Sequence, residues 1–387
     1  MESIKRIYMI NIRSIIKLWL FYTAIFTLSS CKDDLPSKRF ISEKSKRVVM
    51  LYMSANNNLA QEAYLNLNQM EEGYRHIDGK LLVYARIFGQ QPKIYEIVAD
   101  HSPQIVSKVL KTYPDHNASD PTIMKMVFSD MQDLASADSY AAILWSHATN
   151  WYPATGRTIK VRSFGDDESR DMDIQDLKNA LPKNLDYLIF DACSMASVEV
   201  LYELKDIVPF VLASPTEVIS VGMPYQKILP SLFKEDIKLG LQEVAQAYYN
   251  YYQEKEGLYQ SATFSLVDMS YLNELAKLMK TINGHVVLRN FNVEGVQRLD
   301  LDSNSPVKAY DFMDLIQHNY PSNAAHSIRK LLDKAIIYKI NTSHFLGTPI
   351  RTFSGLSCFA PTNEENSVIK FYKTLNWTKD SNFYQSF

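Results

Sequence analysis

Two short apolar stretches decide the fold: residues 140–147, YAAILWSH, and residues 185–193, LDYLIFDAC. Both run without regular polar alternation, which is typical of strands that are buried on both faces of a parallel sheet. The first stretch ends at His147, and the second ends at Asp191-Ala192-Cys193. Functional groups of an open α/β sheet gather beyond the carboxyl ends of neighbouring strands. We therefore expect His147 and Cys193 at one edge of the same sheet.

The rest of the chain continues this alternation of apolar runs with segments of helical period. Further strands are predicted at 47–54, 80–88, 93–99, 210–214, 262–267 and 355–359. Helices are predicted at 59–72, 120–137, 173–180, 236–256 and 271–282, with a helix-rich stretch from 283 to 339. The order predicts an α/β fold with a mostly parallel sheet flanked by helices. We expect a main domain over 47–285 and a helix-rich C-terminal region, 286–387, packed on it.

Charge and motifs exclude several classes of function. The formal net charge of the chain is −2. Residues 1–31 carry four basic side chains and one acidic one, so the remaining residues have a net charge of −5. A mildly acidic body gives no reason to expect nucleic acid as a partner. The sequence lacks a phosphate-binding glycine loop, a dinucleotide fingerprint and a serine-hydrolase elbow. The histidine spacing does not suggest metal ligation, and no calcium-loop motif is visible, so we expect no cofactor.

The first 31 residues are typical of a targeting segment. Basic residues precede an apolar run, Leu18 to Leu28, that is short for a membrane span. The run ends in LSSC, which resembles the bacterial lipobox and implies export, cleavage before Cys31 and lipidation of that cysteine. Residues 32–46 are expected to form a flexible tether, and Lys32-Asp33-Asp34 resembles a surface-export signal. We therefore expect the protein at the outer membrane, including the cell surface. The alternative to a cleaved lipoprotein signal is an uncleaved signal anchor.

Two cysteines remain if Cys31 is acylated. Cys193 follows a predicted strand, whereas Cys358 lies in an apolar stretch where a small buried side chain is the simplest explanation. A disulfide between them stays open. A thiol becomes a nucleophile when a base takes its proton, and His147 on the neighbouring strand could supply that base. From chemistry alone, a buried cysteine and a structural loop histidine explain the pair equally well.

Several ordered motifs resemble the clostripain family of cysteine peptidases, which shares a clan with caspases and gingipains. The matches are 49–59 (VMLYMSANNNL), both strand-end motifs, 213–217 (ASPTE), 222–225 (GMPY), 355–357 (GLS) and Trp377. The resemblance implies a caspase-like α/β sandwich and a catalytic domain over 47–285. It also implies an endopeptidase that cleaves proteins or peptides after Arg or Lys.

The resemblance assigns His147 as the catalytic histidine and Cys193 as the nucleophile. Asp191 would be the acid of the S1 pocket, and Glu217 is the second choice for that acid because it lies after the next strand. A basic substrate side chain would bind such an acid by charge-assisted hydrogen bonds. The alternative for Asp191 is a strand-end residue that caps the following helix.

The chain departs from the family pattern at Ala148 and Asn150, where the family usually has glycine. The oxyanion hole is expected to use the backbone N–H groups of residue 148 and Cys193. Alanine keeps the donor, but a positive φ there would cost roughly 1–2 kcal/mol. The alternative function is therefore a catalytically weak or inactive surface lipoprotein that acts as a binding module. Some relatives require calcium, which the family resemblance leaves open here.

The resemblance also implies one activating cut in the loop after the histidine strand. Within residues 151–165, the candidate self-cleavage points are Arg157, Lys160 and Arg162, since exposed loops are where proteolysis concentrates. Basic residues that merely solvate a surface loop are the alternative.

Overall fold

The computed structural model describes residues 44–148, 164–168, 170–286, 291–302, 308–360 and 366–384. Its strands are β1 (Ser45–Ala55), β2 (Lys80–Ile87), β3 (Lys93–Glu96), β4 (Lys108–Thr112), β5 (Ala137–Trp145), β6 (Phe164–Asp167), β7 (Arg170–Met172), β8 (Leu185–Asp191), β9 (Phe210–Ala213), β10 (Thr263–Asp268), β11 (Ala309–Asp311), β12 (Ile336–Asn341), β13 (His344–Phe345), β14 (Thr348–Pro349) and β15 (Ser357–Phe359). Its α-helices are α1 (Ala60–Gly73), α2 (Pro121–Leu134), α3 (Ile174–Ala180), α4 (Val198–Leu204), α5 (Tyr225–Leu232), α6 (Ile237–Gln253), α7 (Leu272–Asn283), α8 (Phe312–Asn319), α9 (Ser322–Ala335), α10 (Asn366–Thr374) and α11 (Asn376–Ser381).

Among the described strands, nine form one sheet in the order β12-β10-β9-β8-β5-β1-β2-β3-β4. The five strands from β9 to β2 are mutually parallel. At one side β10 and β12 join by antiparallel pairing, and at the other side β3 and β4 do so. The carboxyl ends of the parallel strands therefore meet at one edge, together with the start of β10 and the end of β12. We call this the carboxyl edge.

Side chains of the central strands alternate between two apolar layers. In β1, Val48 and Met50 belong to one layer, while Val49 and Leu51 belong to the other, as the two-residue period of a strand requires. The first layer is covered by α2 to α4 and α7 to α11, and the second by α1, α5 and α6. Because helices cover both faces, the strands are apolar throughout. The predicted α/β sandwich is confirmed.

The structure differs from the sequence predictions at strands of the sheet edges. β4 is largely exposed and reads KVLKT, so it has no apolar run to mark it. β12 follows α9 directly, and its side chains are mostly only partly buried, so the helical pattern predicted through Lys339 in fact ends at Ala335. Because β12 extends the central sheet, residues beyond 285 contribute to that sheet. No helix in the described ranges is long and apolar enough to cross a membrane.

Candidate active site

A cavity of about 420 Å³ lies at the carboxyl edge of the sheet, and its wall includes His147, Cys193 and Asp191. Trp145, the last residue of β5, pairs with Asp191, the last residue of β8. His147 and Cys193 each follow their paired residue by two positions. In-register parallel pairing thus brings the two strand-end motifs together, although they are distant in sequence.

The thiol of Cys193 is half-buried and contacts the backbone of Val218, on the loop after β9. The Val218 N–H donates to Sγ at 3.3 Å, and Sγ lies 3.7 Å from the Val218 carbonyl oxygen. Burial raises the thiol pKa to about 12; the Val218 N–H opposes this, and the carboxyls of Glu217, Asp191 and Asp302 add to it. A thiol in this state is neutral at pH 7 and would need a base in order to act as a nucleophile.

His147 reaches the same cavity from the end of β5. Its Nε2 lies 2.7 Å from Oδ1 of Asn58, which is in the turn after β1. An amide oxygen only accepts, so this contact puts the hydrogen on Nε2 and makes Nδ1 the basic nitrogen of the neutral ring. Asn58 was not among the site residues predicted from the sequence. The available signal was its place directly beyond β1, whose carboxyl end lies beside that of β5.

Asp191 is only 4% exposed, yet it lines the cavity. Its Oδ2 accepts hydrogen bonds from the Met223 N–H at 3.1 Å and the Tyr225 hydroxyl at 2.8 Å. Its Oδ1 has no hydrogen-bond partner among the described residues. Burial raises the pKa of this carboxyl to about 6, and the two hydrogen bonds oppose the rise. Asp191 is thus a buried acid, and one of its oxygens has no described donor.

The helix after Cys193 is not capped by Asp191, which was the alternative role. Ser197 is the N-cap of α4, and its hydroxyl accepts from the Val200 N–H at 3.3 Å. Gly222 lies against the Asp191 carboxylate with φ of +71°, and a Cβ at that position would be 2.9 Å from Oδ2. Glycine therefore satisfies both the left-handed backbone and the close approach to the acid.

Glu217 also lines the cavity, but its carboxylate is occupied by backbone donors. The N–H groups of Leu301 and Asp302 donate to it, each at 3.2 Å. Burial raises its pKa to about 7, opposed by these and its own backbone N–H. This acid fixes the segment 301–302 at the cavity, whereas Asp191 keeps an oxygen directed to no described donor.

The backbone around the expected oxyanion hole is strained after the cysteine rather than after the histidine. Ala148 is buried and pairs with Phe164 in an isolated antiparallel bridge. The described residues with positive φ do not include Ala148, so the strain considered for alanine does not arise there. Ser194 has φ of +59°, and its N–H donates to the Thr216 carbonyl at 2.7 Å. Strain of this kind persists where surrounding structure holds a functional turn.

Several candidate residues lie elsewhere. Cys358 is buried in β15, and both Cys193 and Cys358 are free thiols. Five residues named in the sequence analysis lie outside the described residues. They are the predicted lipidation site Cys31, Asn150 at a position where the family usually has glycine, and the candidate self-cleavage points Arg157, Lys160 and Arg162. Within the part of the chain that the structure describes, no group of histidine, cysteine or acidic residues could hold a metal ion.

Most of the chain is similar to known cysteine proteases. The model of the clostripain family matches residues 51–386. A secreted C11 cysteine protease from Bacteroides thetaiotaomicron, solved in complex with an irreversible peptide inhibitor, is 26% identical, with a TM-score of 0.75 over 88% of this chain and 99% of that one. An inactive zymogen C11 protease from Parabacteroides distasonis is 27% identical, with a TM-score of 0.77 over 87% and 99%. A search of curated proteins gave no match. The chain, whose family model spans both strand-end motifs, belongs to the clostripain family of cysteine peptidases.

Proposed function

We propose that this peptidase cleaves peptide bonds after Arg or Lys, with Cys193 as nucleophile, His147 as general base and acid, and Asp191 as the S1 acid. The observation that carries the proposal is the buried Asp191 carboxylate, which has one oxygen without a described partner in the wall that also holds Cys193 and His147. A guanidinium or ammonium group would pair with that oxygen, because a buried carboxylate favours a cation that also donates hydrogen bonds.

The chemistry would run as acyl transfer. Nδ1 of His147 takes the proton of the Cys193 thiol while Sγ forms a bond to the carbonyl carbon of the substrate. The negative oxygen is stabilised by the N–H groups of Ala148 and Cys193. The carbon–nitrogen bond then breaks, and the leaving amine takes the proton from His147. Water attacks the thioester, His147 takes the water proton, and Sγ leaves and recovers that proton.

The raised thiol pKa bears on this mechanism. At neutral pH a thiol with a pKa of about 12 is protonated, so a base such as His147 has to take the proton for Sγ to attack. A binding module without catalysis remains a second candidate, and the Val218 contacts that hold the thiol favour it. The two candidates differ in whether Cys193 reacts with a substrate-like electrophile.

We also propose that cleavage before Cys31 removes residues 1–30, that Cys31 then carries lipid, and that residues 32–46 tether the peptidase to the outer membrane or cell surface. The basis is the sequence of the N-terminal segment. Within the chain, 47–285 would form the catalytic domain, and 286–387 would pack on it while adding β12 to its sheet. The partners are peptides or proteins with a basic P1 residue.

The deciding experiment is labelling with an arginyl or lysyl acyloxymethyl ketone, followed by peptide mapping. We expect modification of Cys193 and none of Cys358, which is fully buried and serves as an internal control. Hydrolysis of peptides with Arg, Lys, Asp or Glu at P1 should be detected only for the basic pair, and should vanish in Cys193→Ala. An unlabelled Cys193 together with no hydrolysis would favour the binding module.

A further inference from the structure

Part of the cavity wall is made of large apolar side chains that the fold leaves exposed. Leu258 and Tyr259 line the cavity, yet they are 60% and 61% exposed. They lie in a short 3₁₀ turn before β10. Leu346, between β13 and β14, lines the same wall. Exposed apolar residues scattered over a surface need no explanation, but a contiguous group inside an active-site cavity indicates a binding surface.

The two backbone segments that carry these three side chains are joined to each other. Ser261 is buried, and its hydroxyl donates to the Leu258 carbonyl at 2.7 Å. The hydroxyl oxygen of Ser261 in turn accepts a hydrogen bond from the Leu346 N–H at 2.8 Å. A Cβ on Gly347 would lie 3.4 Å from Cδ2 of Leu258, so the leucine side chain lies against this glycine. The 257–259 turn and the 344–349 hairpin therefore form one preorganised wall, which reduces the entropy lost when a ligand binds.

Leu346 has a backbone conformation that leucine rarely adopts. Leu346 has φ of +46°, in the left-handed region that disfavours residues with a Cβ. Asparagine adopts this conformation more readily and would suit an exposed hairpin tip. Leu346 is nevertheless a half-buried leucine that lines the cavity.

The sheet order tells which end of a substrate meets this wall. From His147 beyond β5, the loops at the carboxyl edge follow as Cys193 beyond β8, residues 217–220 beyond β9, the 257–259 turn before β10, and the hairpin beyond β12. The leaving amine must lie near His147, because that residue protonates it. The acyl half of the substrate then extends from Cys193 in the opposite direction, towards Leu258 and Leu346.

We propose that Leu258, Tyr259 and Leu346 form an apolar subsite that takes an aliphatic or aromatic side chain at one of the positions P2 to P4, N-terminal to the basic P1 residue. The proposal rests on the proposed function for the direction of the peptide. Its binding energy comes from apolar surface that the substrate and the wall remove from water together. The preferred substrate thus combines an apolar residue with a following Arg or Lys.

The test uses binding to the full chain carrying Cys193→Ala, which needs no turnover. Tetrapeptide acids ending in Arg, with glycine at P2 to P4 or with leucine at one of these positions, are titrated by fluorescence polarisation. We expect at least one leucine peptide to bind about tenfold more tightly than the glycine peptide. Leu258→Ala/Tyr259→Ala should remove this difference while changing affinity for the glycine peptide less than twofold.

Leu346→Asn should weaken leucine binding in the same way while suiting the positive φ. Leu239→Ala is the matched control, because Leu239 is exposed on α6 and does not line the cavity. Equal affinity for leucine and glycine peptides, or equal losses for both in the double variant, would overturn the subsite. Hydrolysis of amide forms by the unmutated chain is measured in parallel. If no hydrolysis were found, the peptidase proposal would be refuted, whereas the subsite would still be tested by the binding measurements.

Discussion

The sharpest consequence of the structure concerns Asp191→Asn, a change that keeps the shape of the side chain and removes its charge. Asparagine can still accept the hydrogen bonds that the Met223 N–H and the Tyr225 hydroxyl give to Oδ2. It cannot pair as an ion with a substrate guanidinium or ammonium group. We therefore expect kcat/KM for Arg and Lys substrates to fall about a hundredfold to a thousandfold.

The same change should stabilise the fold. The pKa of Asp191 is about 6, against an ordinary value of 3.8, because burial disfavours the charged form. The folded state therefore holds the proton more tightly, and stability falls as pH rises from about 4 to 6. At about 1.36 kcal/mol per pKa unit, the ionised side chain costs the fold roughly 3 kcal/mol above pH 6. Asparagine avoids that cost, so its advantage should be full near pH 8 and absent near pH 4.

Urea unfolding at pH 4, 6 and 8 measures the stability difference, and initial rates over pH 5 to 8 measure activity. In the parent enzyme, kcat/KM for basic substrates should decline as pH falls through about 6, because the protonated acid no longer attracts a cation. Asp133→Asn, at an exposed position in α2, is the control and should change neither quantity. If Asp191→Asn were no more stable at pH 8, or still preferred basic substrates, the account of this pocket would be wrong.

Three further predictions address other parts of the chain. Asn58→Ala should lower kcat about tenfold with little change in KM or melting temperature, because the exposed amide orients His147 rather than binding substrate; an unchanged kcat would remove this role. Cys31→Ser should shift the protein from the membrane fraction and abolish metabolic labelling by a lipid precursor, and label retained in the variant would refute the anchor. Purified wild type should be cut within 157–162 while Cys193→Ala stays intact, as mapped by mass spectrometry; an intact, active wild-type chain would show that no cut is needed.

The central sheet could be predicted from the sequence because its strands are buried on both faces. Residues 140–145 and 185–190 show no regular alternation of polar and apolar residues. Their apolar runs therefore predict parallel strands. The prediction failed where a strand lies at an edge. β4 has only two apolar residues, Val109 and Leu110, between two lysines, and β12 continues from α9 without a turn. Propensity and pattern are weakest where half of a strand meets solvent.

The sequence also determined which side chains end the two central strands, since His147 and Cys193 directly follow the apolar runs. The register of these strands then brings the two side chains to the same place, because Trp145 pairs with Asp191. The sequence further carried an acid two residues before the cysteine, and the family resemblance supplied its expected role. It left open whether that acid points into a pocket or caps a helix.

Only the tertiary structure decided the surroundings of these residues. Asn58 contacts His147, and Val218 contacts the Cys193 thiol, through loops that follow separate strands. The apolar wall before β10 meets the hairpin beyond β12 because β9, β10 and β12 lie side by side. Local pattern reports which face of an element is apolar, but a contact between loops depends on the order of strands in the sheet. That order is set by long-range packing, and no short stretch of this sequence contains it.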